Sequence, residues 1–261
     1  MRRRRRMVLA AAALAAAAGP ALAAVNSTAA LTNIRFELVD LAPDDGVDPW
    51  AQYVSGVRAT AKVYGAPFCW GICMIDGAPI GEPAAASVSK DGGTAFAAYS
   101  VTGMFAGGSA TPGDGMAGRY TGHSWLKSGS STPLFRLGAY TGVRITGDYS
   151  VTATAMNAGG PPELSGAYVF GYGALAGGYT LEYVRASSDG SDGPSFAHDT
   201  GTFSMMFSND KARTVGAWGG LQVGAFGRQV SPIPEPSTYA LMAAGLGVVG
   251  VVARRRRADM G

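Results

Sequence analysis

Apolar residues recur at every second position along most of this chain. Ile34, Phe36 and Leu38 alternate with Arg35 and Glu37. Val57, Ala59, Ala61 and Val63 alternate with Arg58, Thr60 and Lys62. Val143, Ile145, Tyr149, Val151 and Ala153 alternate with charged or hydroxylated residues. The same period runs through Tyr179, Leu181 and Tyr183, through Phe203, Met205 and Phe207, and through Val215, Ala217, Leu221, Val223 and Ala225. Successive side chains of a strand point to opposite faces, so this period gives each strand one apolar and one polar side. Strands with one wet side belong to antiparallel sheets. Turn signals separate them, among them Asp45-Gly46, Asp76-Gly77, Asp91-Gly92-Gly93, Gly159-Gly160-Pro161-Pro162 and Asp189-Gly190. No window between residues 24 and 230 carries a capped helical stripe, and no fixed repeat recurs. The fold class expected is all-β: an antiparallel β-sandwich, jelly-roll-like, of about eight to ten strands. A closed barrel is the alternative. A lipid-embedded barrel fits poorly, because charged residues stand at mid-strand on the outward faces.

The two ends read differently. Arginines at positions 2–6, an apolar run over residues 7–18 and the small-x-small trio Ala21-Leu22-Ala23 form a signal peptide, 1–23, whose cleavage after Ala23 leaves Ala24 first. The partner this implies is a secretion translocon. Arg5-Arg6-Met7-Val8-Leu9 also fits a loose twin-arginine pattern, but a run of five arginines meets it by chance, so the general secretory route is favoured. Residues 237–253 form an apolar stretch of about 17 residues, at the short limit for a transmembrane helix. Its glycines and alanines leave a smooth face for another helix. Arg254, Arg255, Arg256 and Arg257 follow directly, and such a cluster stays cytoplasmic, which places the bulk of the chain outside. Pro234, Glu235 and Pro236 precede the apolar stretch, with Pro232 close by. Prolines fix φ and push the preceding residue toward extended backbone, so the segment is stiff, extended and unpaired, carrying one negative charge. A peptide-cleaving enzyme can grip such a strand. A plain single-span tail anchor is the simpler alternative.

Motif, apolar span and arginine cluster in this order resemble the PEP-CTERM sorting signal of exported bacterial envelope proteins. The segment over 31–47, Leu-Thr-Asn-Ile-Arg-Phe-Glu-Leu-Val-Asp-Leu-Ala-Pro-Asp-Asp-Gly-Val, looks like the first strand and turn of many such ectodomains. The resemblance implies three regions: signal peptide 1–23, β ectodomain 24–230 and sorting segment 231–257. It implies an exosortase-type membrane protease or transpeptidase as partner, with the tail removed or exchanged and the ectodomain passed to the cell surface, outer envelope or extracellular matrix.

Charge narrows the partners further. Nine of the 21 basic residues lie in the two terminal clusters, and of the 18 acidic residues only Glu235 and Asp259 lie past residue 230. The ectodomain therefore holds 12 basic and 16 acidic residues and is net acidic. It has no basic stripe with interleaved aromatics, so nucleic acid is not an expected partner. The two cysteines, Cys69 and Cys73, flank a Gly-containing turn in an oxidising compartment, where a local disulfide is feasible. It would close a tiny loop and stabilise little.

Several groupings invite chemistry. Asp40, Asp44, Asp45 and Asp48 could supply oxygens to calcium, but aspartates also start turns, and Asp189-Gly190-Ser191-Asp192-Gly193 reads the same way. His198 and Asp199 are strand neighbours and should face apart, as should His123 and Ser124, and no G-x-S-x-G elbow exists. Glu163 and Glu182 are a carboxylate pair of unknown separation. No metal, cofactor or catalytic residue is expected. Four tryptophans and eleven tyrosines could build a sugar-stacking platform. Trp125, read as lying in a polar loop, is its best single candidate. The leading reading is a non-enzymatic surface or matrix protein. The alternatives are a glycan-binding module of an exopolysaccharide matrix and, behind it, a secreted hydrolase.

Overall fold

The computed structural model describes residues 24–229 apart from 55–56, 65–71, 79–81, 91, 101, 112–117, 130, 157–162, 176–177 and 191–193. The described residues are all-β. Fourteen strands follow in order: β1 (Val25–Asp40), β2 (Ala51–Tyr53), β3 (Val57–Tyr64), β4 (Ile72–Ala78), β5 (Ala84–Lys90), β6 (Gly93–Ser100), β7 (Gly103–Ala110), β8 (Arg119–Lys127), β9 (Phe135–Leu137), β10 (Thr141–Ala155), β11 (Leu164–Leu175), β12 (Gly178–Asp189), β13 (Ser195–Ser208) and β14 (Val215–Arg228). They form two antiparallel sheets. The first has the order β13-β10-β1-β7-β6-β5, and the second β12-β11-β14-β8-β3-β4, with the short β2–β9 pair attached through β14.

The sheets lie face to face strand over strand. β13 meets β12, β1 meets β14 and β11, β7 and β6 meet β8, and β5 meets β3 and β4. This is the sandwich expected from the alternation, with meander β5-β6-β7 on one flank; a jelly-roll connectivity is not among the features this order displays. Among the described residues no helix is long and apolar enough to cross a membrane. The expected span at 237–253 and the signal peptide at 1–23 lie outside the described residues.

The core is uneven in a way the sequence explains. One half is filled by Phe135, Phe203, Met205 and Phe207, and the other by Ala84, Ala86, Ala95, Ala97, Ala106 and Ala110. Where small residues meet, the two sheets approach until backbones touch. A Cβ on Gly122 of β8 would collide with the Phe96 carbonyl oxygen and stand 3.0 Å from that of Gly107, both on the opposite sheet. Tyr120 fills the neighbouring space. Its hydroxyl meets Ser27 Oγ at 2.8 Å, a buried polar bridge between the sheets, and burial pushes its pKa up to about 12 despite that bond.

A single residue sets the register of the longest strand. Thr32 pairs with Asp148 but Arg35 pairs with Thr146, so β1 carries one extra residue against β10. The bulge places Asn33 at φ 52, and its amide donates to Asp148 Oδ2 at 2.7 Å. Asparagine tolerates this left-handed backbone better than most residues. The inward set then switches from Val25, Ser27, Ala29 and Leu31 to Ile34, Phe36 and Leu38. Leu38 is half exposed because it reaches the rim.

One strand departs from the simple reading of alternation. The apolar stripe of β12 faces solvent: Leu181 and Tyr183 are 52% and 49% exposed. Their partners on β11 are Tyr172 and Phe170, on the outer side of the second sheet.

Candidate ligand-binding face and sorting tail

The outer face of the second sheet gathers the aromatics. β11 contributes Tyr168, Phe170 and Tyr172 at every second position, while Ala167, Val169, Gly171 and Gly173 point inward. β14 places Gln222 opposite Phe170 and Gly224 opposite Tyr168. β8 then places Trp125 opposite Gln222 and His123 opposite Gly224. The absent side chain at Gly224 makes room for the Tyr168 ring, as Gly166 does for Phe226. Ring-covered glycines of this kind pin register across strands.

The result is a continuous band of six rings. Trp125 meets His123 edge-on at 5.9 Å, and His123 meets Tyr168 at 6.2 Å. Tyr168 meets Tyr183 at 6.2 Å, Tyr183 meets Phe170 at 5.9 Å, and Phe170 stacks on Tyr172 at 5.5 Å. A polar knot ties the middle. Gln222 Nε2 donates to Tyr168 Oη at 2.9 Å and lies 3.1 Å from His123 Nδ1, which is also 3.1 Å from that hydroxyl. Burial, with Tyr183 nearby, pushes the Tyr168 pKa up to about 12, so its hydroxyl stays protonated. Cations border the band: Lys127 Nζ sits 4.1 Å over the Trp125 ring, and Arg185 Cζ lies 5.8 Å over Phe226. A rigid apolar strip with fixed amide and hydroxyl groups can stack a planar or pyranose face and hydrogen-bond its edge.

Trp125 is thus on the face that the aromatic reading required, but not in a loop. It sits inside β8, half-buried, with Lys127 over one side of its ring. The flanking glycine, histidine and serine that suggested a loop are ordinary alternating strand residues. Its indole Nε1 is buried with no hydrogen-bond partner. The exposed ring at the sheet edge is Tyr183. The sequence signal for the other rings was present in Tyr168-Val169-Phe170-Gly171-Tyr172, an aromatic at every second position.

The remaining candidates do not converge. Ala42 N–H donates to Asp40 Oδ1 and Val47 N–H to Asp45 Oδ1, which is the turn reading of that acidic run. No three His, Cys, Asp or Glu residues are grouped for a metal among the described residues. His198 bonds Thr152 and Asp199 bonds Tyr149, so these neighbours serve different partners. His123 lies outward while Ser124 is buried. Glu163 is buried at one end of the sandwich and Glu182 is exposed on β12. A cavity of about 180 Å³ opens near Gly173, Leu175 and Asn209, below the usual size of a small-molecule site. Cys69 lies outside the described residues, and Cys73 lies on β4 opposite Lys62. Ala21, Ala23, Pro234, Glu235, Pro236 and Arg254, Arg255, Arg256 and Arg257 all lie outside them too.

The described residues are thus an all-β domain. Residues 232–257 match the PEP-CTERM protein-sorting motif, so this is a protein carrying a PEP-CTERM sorting tail. No curated protein and no solved structure matches the chain. The motif marks an exported protein, anchored in the membrane and then processed by an exosortase-type enzyme.

Proposed function

We propose that this chain is a non-enzymatic surface or matrix protein, whose sandwich is the cargo and whose tail is the address. The observation that carries the reading is the sorting motif at 232–257, which follows a β domain whose strands end at Arg228. The separation of His198, Asp199, Ser124, Glu163 and Glu182 into different surroundings supports a cargo without catalysis. Orientation supplies the test. Replacing Arg254, Arg255, Arg256 and Arg257 with neutral residues lets the apolar segment slip outward and spoils retention, so the precursor appears uncut in the medium. Normal processing of that variant counts against the arrangement.

A second reading rests on the ring band: the outer face of the second sheet binds glycan, as a module of an exopolysaccharide matrix. Tyr183→Ala removes an exposed ring at little cost to folding and should weaken retention on polysaccharide columns roughly tenfold, the order of one apolar ring contact. Trp125→Ala should also weaken retention, with some loss of stability from its half-buried ring. Columns of acidic and neutral polysaccharide read both variants. Wild-type protein passing through all of them rejects the glycan reading and leaves the sorting reading intact.

A further inference from the structure

Glu163 is a carboxylate in an unusual place. It is 1% exposed, just before β11, where the starts of β1 and β11 and the ends of β10 and β14 converge. Its carboxylate takes hydrogen bonds from the Gln229 side chain and from the Met156 N–H, and burial pushes its pKa up. Its Oε2 is buried with no hydrogen-bond partner among the described residues. Among the described residues no charged side chain contributes to its titration; its two flanking strand-end residues with charge, Asp189 and Arg228, are exposed. A buried carboxylate half-satisfied in this way is costly while ionised, and either a proton or a cation removes that cost.

Such a cation has a natural source. The same Met156 N–H donates to the Ala24 carbonyl at 3.1 Å. Two oxygens sharing one N–H lie within about 6 Å of each other. Ala24 is the residue that signal cleavage would place first. Hydrolysis of the Ala23–Ala24 peptide consumes water, leaves a carboxylate on Ala23 and frees an ammonium on Ala24. We propose that Glu163 is the acceptor for that ammonium, so that removal of the signal peptide creates a buried ion pair at this end of the sandwich. The pair would also join the amino terminus to Gln229, which leads into the sorting tail. The inference rests on export with cleavage after Ala23, and not on what the ring band binds.

The test uses the mature protein isolated from its envelope, with its first residue determined by sequencing. The Ala24 amine should react with an amine-specific reagent at least tenfold more slowly than an exposed amine, and E163Q should restore the fast rate. A second construction of the gene inserts two residues after Ala23, which moves the ammonium away from Glu163. E163Q should lower the melting temperature of the native form by about 5 °C or more, as expected for breaking a buried pair, and leave the inserted form unchanged or more stable. Equal losses in both forms would make Glu163 a hydrogen-bond acceptor only and overturn the pair. Fast labelling of the wild-type amine overturns it without any variant, and so does a mature chain that begins elsewhere. In that last case the protein is still exported, so loss of the pair and loss of the export reading are told apart.

Discussion

Glu235→Gln should leave the ectodomain folded and remove at least nine-tenths of the processed surface form. The two parts are separate in sequence: the described fold ends at Gln229, and the matched motif begins at residue 232. Glu235 lies outside the described residues of the sandwich, and melting of the ectodomain is expected to stay unchanged. Recognition is expected to depend on it. Prolines at 232, 234 and 236 favour extended backbone, and Glu235 is the one charge among them. A carboxylate held by a hydrogen-bonding or cationic enzyme group is worth about 1.5–3 kcal/mol, which is roughly tenfold to a hundredfold in recognition. Glutamine keeps the shape and removes the charge, so the variant separates charge from stiffness. Pro236→Ala does the converse and should cost less, because one proline's restriction of the backbone is worth less than the charged contact. Mass spectrometry of the C-terminus in envelope fractions reads both. An intact tail on wild-type surface protein, or normal trimming of Glu235→Gln, removes the basis for this assignment.

Much of this organisation was legible before any coordinates. Period-two alternation marks β1, β3, β10, β12, β13 and β14, three in each sheet, and Asp45-Gly46 does turn, with Gly46 at φ 73. The tail was legible because its signal is local: three elements in fixed order over fewer than thirty residues. What was not legible is set by pairing between distant residues. The extra residue at Asn33 flips the inward set of β1, but only its partner Asp148, on β10, shows that it is extra. The apolar stripe of β12 looked like core because alternation identifies an apolar side without saying which way it faces; pairing with β11 turns it outward. Trp125 reads as a loop residue for a related reason. Small and polar neighbours suggest a loop, yet Gly122 is small because the opposite sheet presses on it, and Ser124 lies buried in the same inward row. The six rings of the band come from β8, β11 and β12 and are brought together by pairing through β14, so its members are visible singly in the sequence but not as a group.

That pressure at Gly122 gives the largest expected effect on stability. Gly122→Ala adds one methyl on the inward side of β8, against the Phe96 carbonyl oxygen and the Gly107 backbone of the first sheet. Main-chain atoms in two paired strands cannot swing aside as a side-chain tip can. Phe96 and Gly107 are moreover directly opposite each other in the β6–β7 ladder, so moving either strains that pairing. Relief requires the sheets to separate locally, which would open space around Ala97 and Ala106, whose small side chains cannot refill it. Overpacking commonly costs 1–3 kcal/mol, and with backbone as the obstacle the cost should reach at least about 3 kcal/mol. For a domain of this size that is a fall of roughly 6–12 °C in melting temperature. Gly122→Val should fail to fold. Two controls isolate the cause. Ser124→Ala, two residues along the same inward row, removes a buried hydroxyl that has no partner and should be neutral or stabilising. Gly224→Ala adds its methyl against the Tyr168 ring, on the outer face, where the ring can rotate away, so it should cost less than Gly122→Ala. Thermal unfolding of the four variants decides the matter. A Gly122→Ala protein melting within about 2 °C of wild type would mean that the two sheets do not approach to backbone contact at this point, and the small-residue half of the core would need another explanation.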